Sequence, residues 1–94
     1  MKINLAIIGA GRIGHVHAEA INKNINANLI YIYDTNNSVA NKFASKFNCK
    51  IANINSIKND KNIDAVVICS PTNTHIDLIK NFQEPKKQYF VKSL

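Results

Sequence analysis

Glycine is scarce in this chain, with three in 94 residues, and Gly9, Gly11 and Gly14 all fall in one stretch. Only two prolines, Pro71 and Pro85, are present, and no internal repeat, linker or low-complexity tract interrupts the sequence, which excludes collagen-like and disordered architectures. The two cysteines, Cys49 and Cys69, lack C-x-x-C spacing, and Cys69 sits in an apolar run. A disulfide framework is thereby excluded, and reduced thiols in a cytoplasmic protein are expected. No apolar run approaches the roughly 20 residues that span a bilayer. A single lysine before the glycine-broken "INLAIIGAG" does not make a signal peptide. Acidic residues are few, six against twelve basic ones, yet the cations are eleven lysines and Arg12 spread along the chain without a basic block. Neither nucleic acid nor membrane is expected as a partner.

What is present is apolar matter: 46% of the residues are hydrophobic and 19% charged. A chain of 10.5 kDa buries roughly 64% of its unfolded surface, enough for one modest core. Asparagine and isoleucine each occur fifteen times, as in an AT-rich coding sequence, so the net charge of +6 carries little functional weight.

Apolar runs and punctuation predict alternating elements. Strands are expected at Ile3–Ile8, Leu29–Tyr33, near Ile51, at Ala65–Cys69 and at Gln88–Val91. Helices are expected at Arg12–Lys23, Ser38–Phe47, Ser56–Asn59 and, from a Thr74/Asp77 capping box, to about Phe82. The second helix is expected to bury Val39, Phe43, Ala44 and Phe47. Such alternation implies an α/β fold: a Rossmann-type parallel sheet of order 3-2-1-4-5, helices on both faces, one strand short of a full six at its C-terminus.

The glycines spell G-x-G-x-x-G between a strand and a helix. In that context Gly9 serves the tight turn, Gly11 lets the backbone approach a pyrophosphate, and Gly14 lets helix and strand pack closely. Asp34 follows at the end of the second strand, twenty positions after Gly14 (34 minus 14). A carboxylate there accepts hydrogen bonds from both adenosine ribose hydroxyls and repels a 2′-phosphate, for which Thr35, Asn36 and Asn37 offer no cation. NAD is therefore expected in preference to NADP. His15 and His17, two apart on a helix, point to different faces and make a poor metal pair, so each is expected to be packed or solvated.

With G-x-G-R-x-G-x-x-H-A over Gly9–Ala18, "YIYD", and S-P-T-x-x-H over Ser70–His75, the chain resembles the glucose-fructose oxidoreductase and inositol dehydrogenase family (Gfo/Idh/MocA), with a close likeness to its inositol 2-dehydrogenases. The resemblance covers Met1 to about Phe90. It implies a Rossmann domain followed by a larger substrate domain, and hydride transfer between NAD and a hydroxyl-bearing carbon of a sugar or cyclitol. It implies further that Gly9, Gly11, Arg12, Ile13 and Gly14 contact the pyrophosphate region and Asp34 the ribose. Ser70, Pro71, Thr72 and His75 would lie on the loop running toward the nicotinamide.

The family continues with F-C-E-K-P-L, whose lysine helps position or deprotonate the reacting hydroxyl, and completes the acid/base pair with a D-x-x-x-H histidine in the second domain. Here the chain reads Phe90-Val91-Lys92-Ser93-Leu94. One coding of F-C-E-K-P-L-D becomes F-V-K-S-L and a stop when a single T is lost, so a frameshifted or truncated dehydrogenase, lacking the substrate domain and inactive by itself, is the leading expectation. A stand-alone NAD-binding or redox-sensing module, self-associating through the edge of the fifth strand, is the alternative; a fragment that misfolds is the third.

Overall fold

Strands and helices alternate in the computed structural model, which describes residues 2–70, Lys80 and, as backbone, residues 88–91. In chain order the elements are β1 (Ile3–Ile8), α1 (Arg12–Lys23), β2 (Ala27–Tyr33), α2 (Asn37–Phe47), β3 (Lys50–Ile51), α3 (Ile54–Asn59), β4 (Ala65–Ile68) and β5 (Gln88–Val91). They form one five-stranded sheet of order β3-β2-β1-β4-β5, parallel at every pairing, as the alternation predicts. The expected helix from Thr74 to Phe82 lies outside the described residues apart from Lys80, which is helical and exposed.

The side-chain alternation of the strands divides the core in two. Ile7, Leu29, Ile32 and Val67 face α1 and α2, where they meet Ala18, Phe43 and Phe47. Ala6, Ile8, Val66 and Ile68 face the other way, against Ile57 of α3 and Ile63. Helices thus cover both faces. The interior strand β4 is buried along its whole length, which is why it reads as a continuous apolar run.

Strand β2 carries an irregularity. Leu5 of β1 pairs with Leu29 but Ala6 pairs with Tyr31, leaving Ile30 as an extra residue. Ile30 and Tyr31, though consecutive, both pack on the α3 side, and the slip brings Ile32 round to join Leu29 on the α1/α2 side. Tyr31 then donates its hydroxyl to Asp60 at 2.8 Å, tying β2 to the end of α3.

Asparagines set the helix boundaries. The Asn36 side chain accepts from the Val39 amide and the Asn53 side chain from the Ser56 amide, so α2 and α3 begin earlier than the expected Ser38 and Ser56. Asn48 closes α2 in the left-handed region (φ 56°), a conformation its short polar side chain tolerates. The buried face of α2 is Ala40, Phe43 and Phe47, with Ala44 beside it, an i, i+3, i+4, i+7 stripe. Val39 does not belong to that face; it is 37% exposed, one helical step off the stripe.

Phe43→Ala is expected to cost about 3–5 kcal/mol in urea denaturation, whereas Val39→Ala should change stability by less than about 0.5 kcal/mol. Burial pushes the half-buried Cys49 thiol up to about 11 from an ordinary 9.0. The folded chain therefore holds that proton more tightly than the unfolded one, and the associated stability is full below pH 9.0 and lost as pH rises through about 11. Alkylation of Cys49 near neutral pH should be at least about tenfold slower in the folded chain than in urea.

Candidate functional site

The three glycines sit where β1 hands over to α1, and each stands in a different situation. Gly9 has φ +105°, and a Cβ there would come within 2.8 Å of the Cys69 carbonyl carbon and the Ser70 nitrogen. Both backbone conformation and space therefore demand glycine. At Gly14 a Cβ would fall on the carbonyl oxygen of Gly9, so helix and turn touch backbone to backbone. Around Gly11, by contrast, no described residue lies within 4 Å of where a Cβ would stand, and its φ of −83° suits any residue. Nothing among the described residues demands glycine at position 11.

The turn is held from both sides. The Gly9 amide donates to the Tyr33 carbonyl at 2.8 Å, and the Cys69 amide donates to the Ile8 carbonyl at 2.7 Å. Asp34, at the tip of β2, accepts from the Ala10 amide at 2.8 Å through one carboxylate oxygen and from the Asn36 amide at 2.9 Å through the other. About two of its four acceptor sites remain.

Helix α1 begins differently from the other two. Gly11 provides no side-chain cap, whereas α2 and α3 each have an asparagine accepting from an early amide; none of the three has an acidic residue in its first turn. Arg12 is exposed in that first turn, adding positive charge to the positive end of the helix dipole, an unfavourable placement of about 0.3–1 kcal/mol unless an anion is near. Free amides, a dipole, a cation and open space at Gly11 together can hold a phosphate group. Ile13 is half-buried and packs against the core beneath.

Strand order reverses between β1 and β4, and the crevice outside their C-terminal ends is where open α/β sheets bind ligands. Gly9 and Ser70 flank it in contact. Pro71, Thr72 and His75 lie outside the described residues. A cleft of about 920 Å³ opens at the opposite, N-terminal ends of the strands, between Ile3, Ala27 and Ala65, remote from the glycine turn. His15 is packed between α1 and α2 against Phe43 and Phe47, and among the described residues no cluster of metal-ligating side chains forms. No helix among them is long and apolar enough to cross a membrane.

The chain belongs to the oxidoreductase family with an NAD-binding Rossmann fold, whose sequence profile matches residues 3–92. It is 41% identical over 90 residues to an inositol 2-dehydrogenase of Rhizobium meliloti, covering 96% of this chain and 27% of that protein. To a myo-inositol 2-dehydrogenase of Thermotoga maritima it is 33% identical over 90 residues, covering 94% of this chain and 27% of the relative. The crystal structure of a myo-inositol dehydrogenase from Corynebacterium glutamicum superposes with a TM-score of 0.88 at 35% identity, over 97% of this chain and 28% of the other. The chain therefore spans about a quarter of the length of the relatives it matches.

The unequal surroundings of the glycines predict unequal responses to alanine. Gly9→Ala and Gly14→Ala should each lower stability by about 1–3 kcal/mol or prevent folding, while Gly11→Ala should stay within about 0.5 kcal/mol of the parent in chemical denaturation.

Proposed function

We propose that this chain is the dinucleotide-binding portion of an oxidoreductase of the inositol 2-dehydrogenase type, with NAD bound in preference to NADP. The observation that carries the reading is the uncapped start of α1 behind an open Gly11, with the Asp34 carboxylate one hydrogen bond away at Ala10. Gly9 and Gly14 shape the turn. Gly11, Arg12 and Ile13 present backbone amides to the pyrophosphate, with the Arg12 charge beside them. Asp34 receives the adenosine ribose hydroxyls on its remaining acceptor sites and disfavours a 2′-phosphate by charge repulsion. Ser70, Pro71, Thr72 and His75 are assigned to the nicotinamide side of the cofactor.

NAD supplies the hydride acceptor when bound; the substrate in the whole protein is a cyclitol or sugar whose hydroxyl-bearing carbon is oxidised. The names and 33–41% identity of the relatives support that substrate class. A general base for the hydroxyl proton, commonly worth 10²–10⁴-fold, is not among the groups assigned here. The chain alone is therefore read as a binder without turnover. Among the described strands β5 ends the sheet, and that edge is where a second copy would add.

Isothermal titration should show NAD binding that is weakened at least about tenfold by Gly11→Val, since a side chain would fill the space left for the cofactor while the fold is kept. Asp34→Ala should shrink the preference for NAD over NADP by about tenfold. Equal affinity for both dinucleotides in the parent chain would defeat the role given to Asp34. With myo-inositol and NAD the chain should produce no NADH absorbance; steady turnover would overturn the reading of a binder without chemistry.

A further inference from the structure

The ring of His15 stands between α1, α2 and the glycine turn. It meets Phe43 edge-on at 4.9 Å between centroids and Phe47 at 5.4 Å, and the two phenyl rings pack on each other at 4.7 Å. Its Nδ1 lies 2.8 Å from the carbonyl oxygen of Gly11, which also accepts the His15 backbone amide at 3.0 Å. A carbonyl oxygen brings no proton to that contact, so Nδ1 carries it, and the Gly11 oxygen accepts two hydrogen bonds from one residue.

The peptide joining Gly11 to Arg12 is planar and trans, with its C=O and N–H pointing in opposite directions. Fixing the oxygen therefore fixes the direction of the Arg12 amide at the open end of α1. Glycine leaves the torsions beside that peptide soft, this helix start has no side-chain cap, and among the described residues the His15 backbone amide is the other hold on its oxygen. We propose that His15 is a positioning residue for the dinucleotide, donating Nδ1–H to the Gly11 carbonyl so that the Arg12 amide stays aimed at the pyrophosphate, with Phe43 and Phe47 bracing the ring. The proposal rests on the reading that the start of α1 receives the pyrophosphate.

Two substitutions separate the donor from the ring. The side-chain amide nitrogen of His15→Asn branches from Cγ where Nδ1 does, but the ring is lost; His15→Phe keeps a ring and loses the donor. The dissociation constant of NAD, measured on the 94-residue chain, should rise about three- to tenfold in His15→Phe and stay within about twofold in His15→Asn. The thermal midpoint should move the other way, falling in His15→Asn and holding in His15→Phe. NAD binding that is unchanged in His15→Phe, or lost equally in both variants, would overturn the proposal while leaving the cofactor reading intact. A parent chain that does not bind NAD removes both. Independently of either variant, ¹⁵N NMR of the neutral imidazole should report the Nδ1–H tautomer; an Nε2–H tautomer would overturn the proposal even if the variants fail to fold.

Discussion

Everything at the C-terminal end of the sheet depends on one contact of backbone with backbone: the Gly9 carbonyl oxygen occupies the place where a side chain at position 14 would begin. With no side chain between them, α1 lies directly over the turn that leaves β1. Its Ala18 reaches the core shared with Ile7 and Phe43, and its first amides are delivered to the crevice between β1 and β4. On the other side Gly9 lies against the Cys69–Ser70 peptide. The turn is thus clamped between its own helix and the exit of β4, and a methyl group at either glycine would drive these layers apart.

Position 11 completes the logic by contrast. Two glycines are required by neighbours that are present, while the third faces space that the described residues leave open. The same division recurs at the helix starts. Asparagines satisfy early amides of α2 and α3 from within the chain, and only α1, among these three, has no such side chain. A helix start left uncapped where two others are capped leaves the free energy of unmade hydrogen bonds for a ligand to collect.

Strand order and the covering of both faces were legible because apolar runs alternate with helical stripes, and parallel topology follows from that alternation. The irregularity at Ile30 was not. Around it Leu29, Ile30, Tyr31 and Ile32 are all apolar or aromatic, so no polar residue marks which face each occupies. The asparagine caps were hidden for a related reason: with fifteen asparagines in the chain, any one at a boundary carries little signal. Val39, four residues before Phe43, reads as part of the same apolar face as Phe43, Ala44 and Phe47, yet it is 37% exposed while Ala40 is buried, because the stripe centred on Phe43 and Phe47 is turned toward Ala40. At the candidate site the glycines and Asp34 could be read from spacing, since their order along the chain follows directly from a strand–turn–helix–strand unit. The bond from His15 to Gly11 could not. It depends on a side-chain rotamer fixed by two phenylalanines some thirty residues on, which only the folded chain brings together.

Asp34 holds a position with a consequence for how such a domain could change its cofactor. Its carboxylate joins the glycine turn at Ala10 to the start of the next connection at Asn36, so in its proposed role at the ribose the discriminating group is also a structural tie. Descendants of this sequence that traded the acid for a residue with no acceptor, such as arginine, to admit a phosphate on the ribose, would release two backbone amides in the same step. The path toward the other dinucleotide therefore passes through a loosened intermediate. A lineage could cross it only after some second change had taken over the tie, so that the order of mutations, and not only their identity, decides which cofactor preferences are within reach.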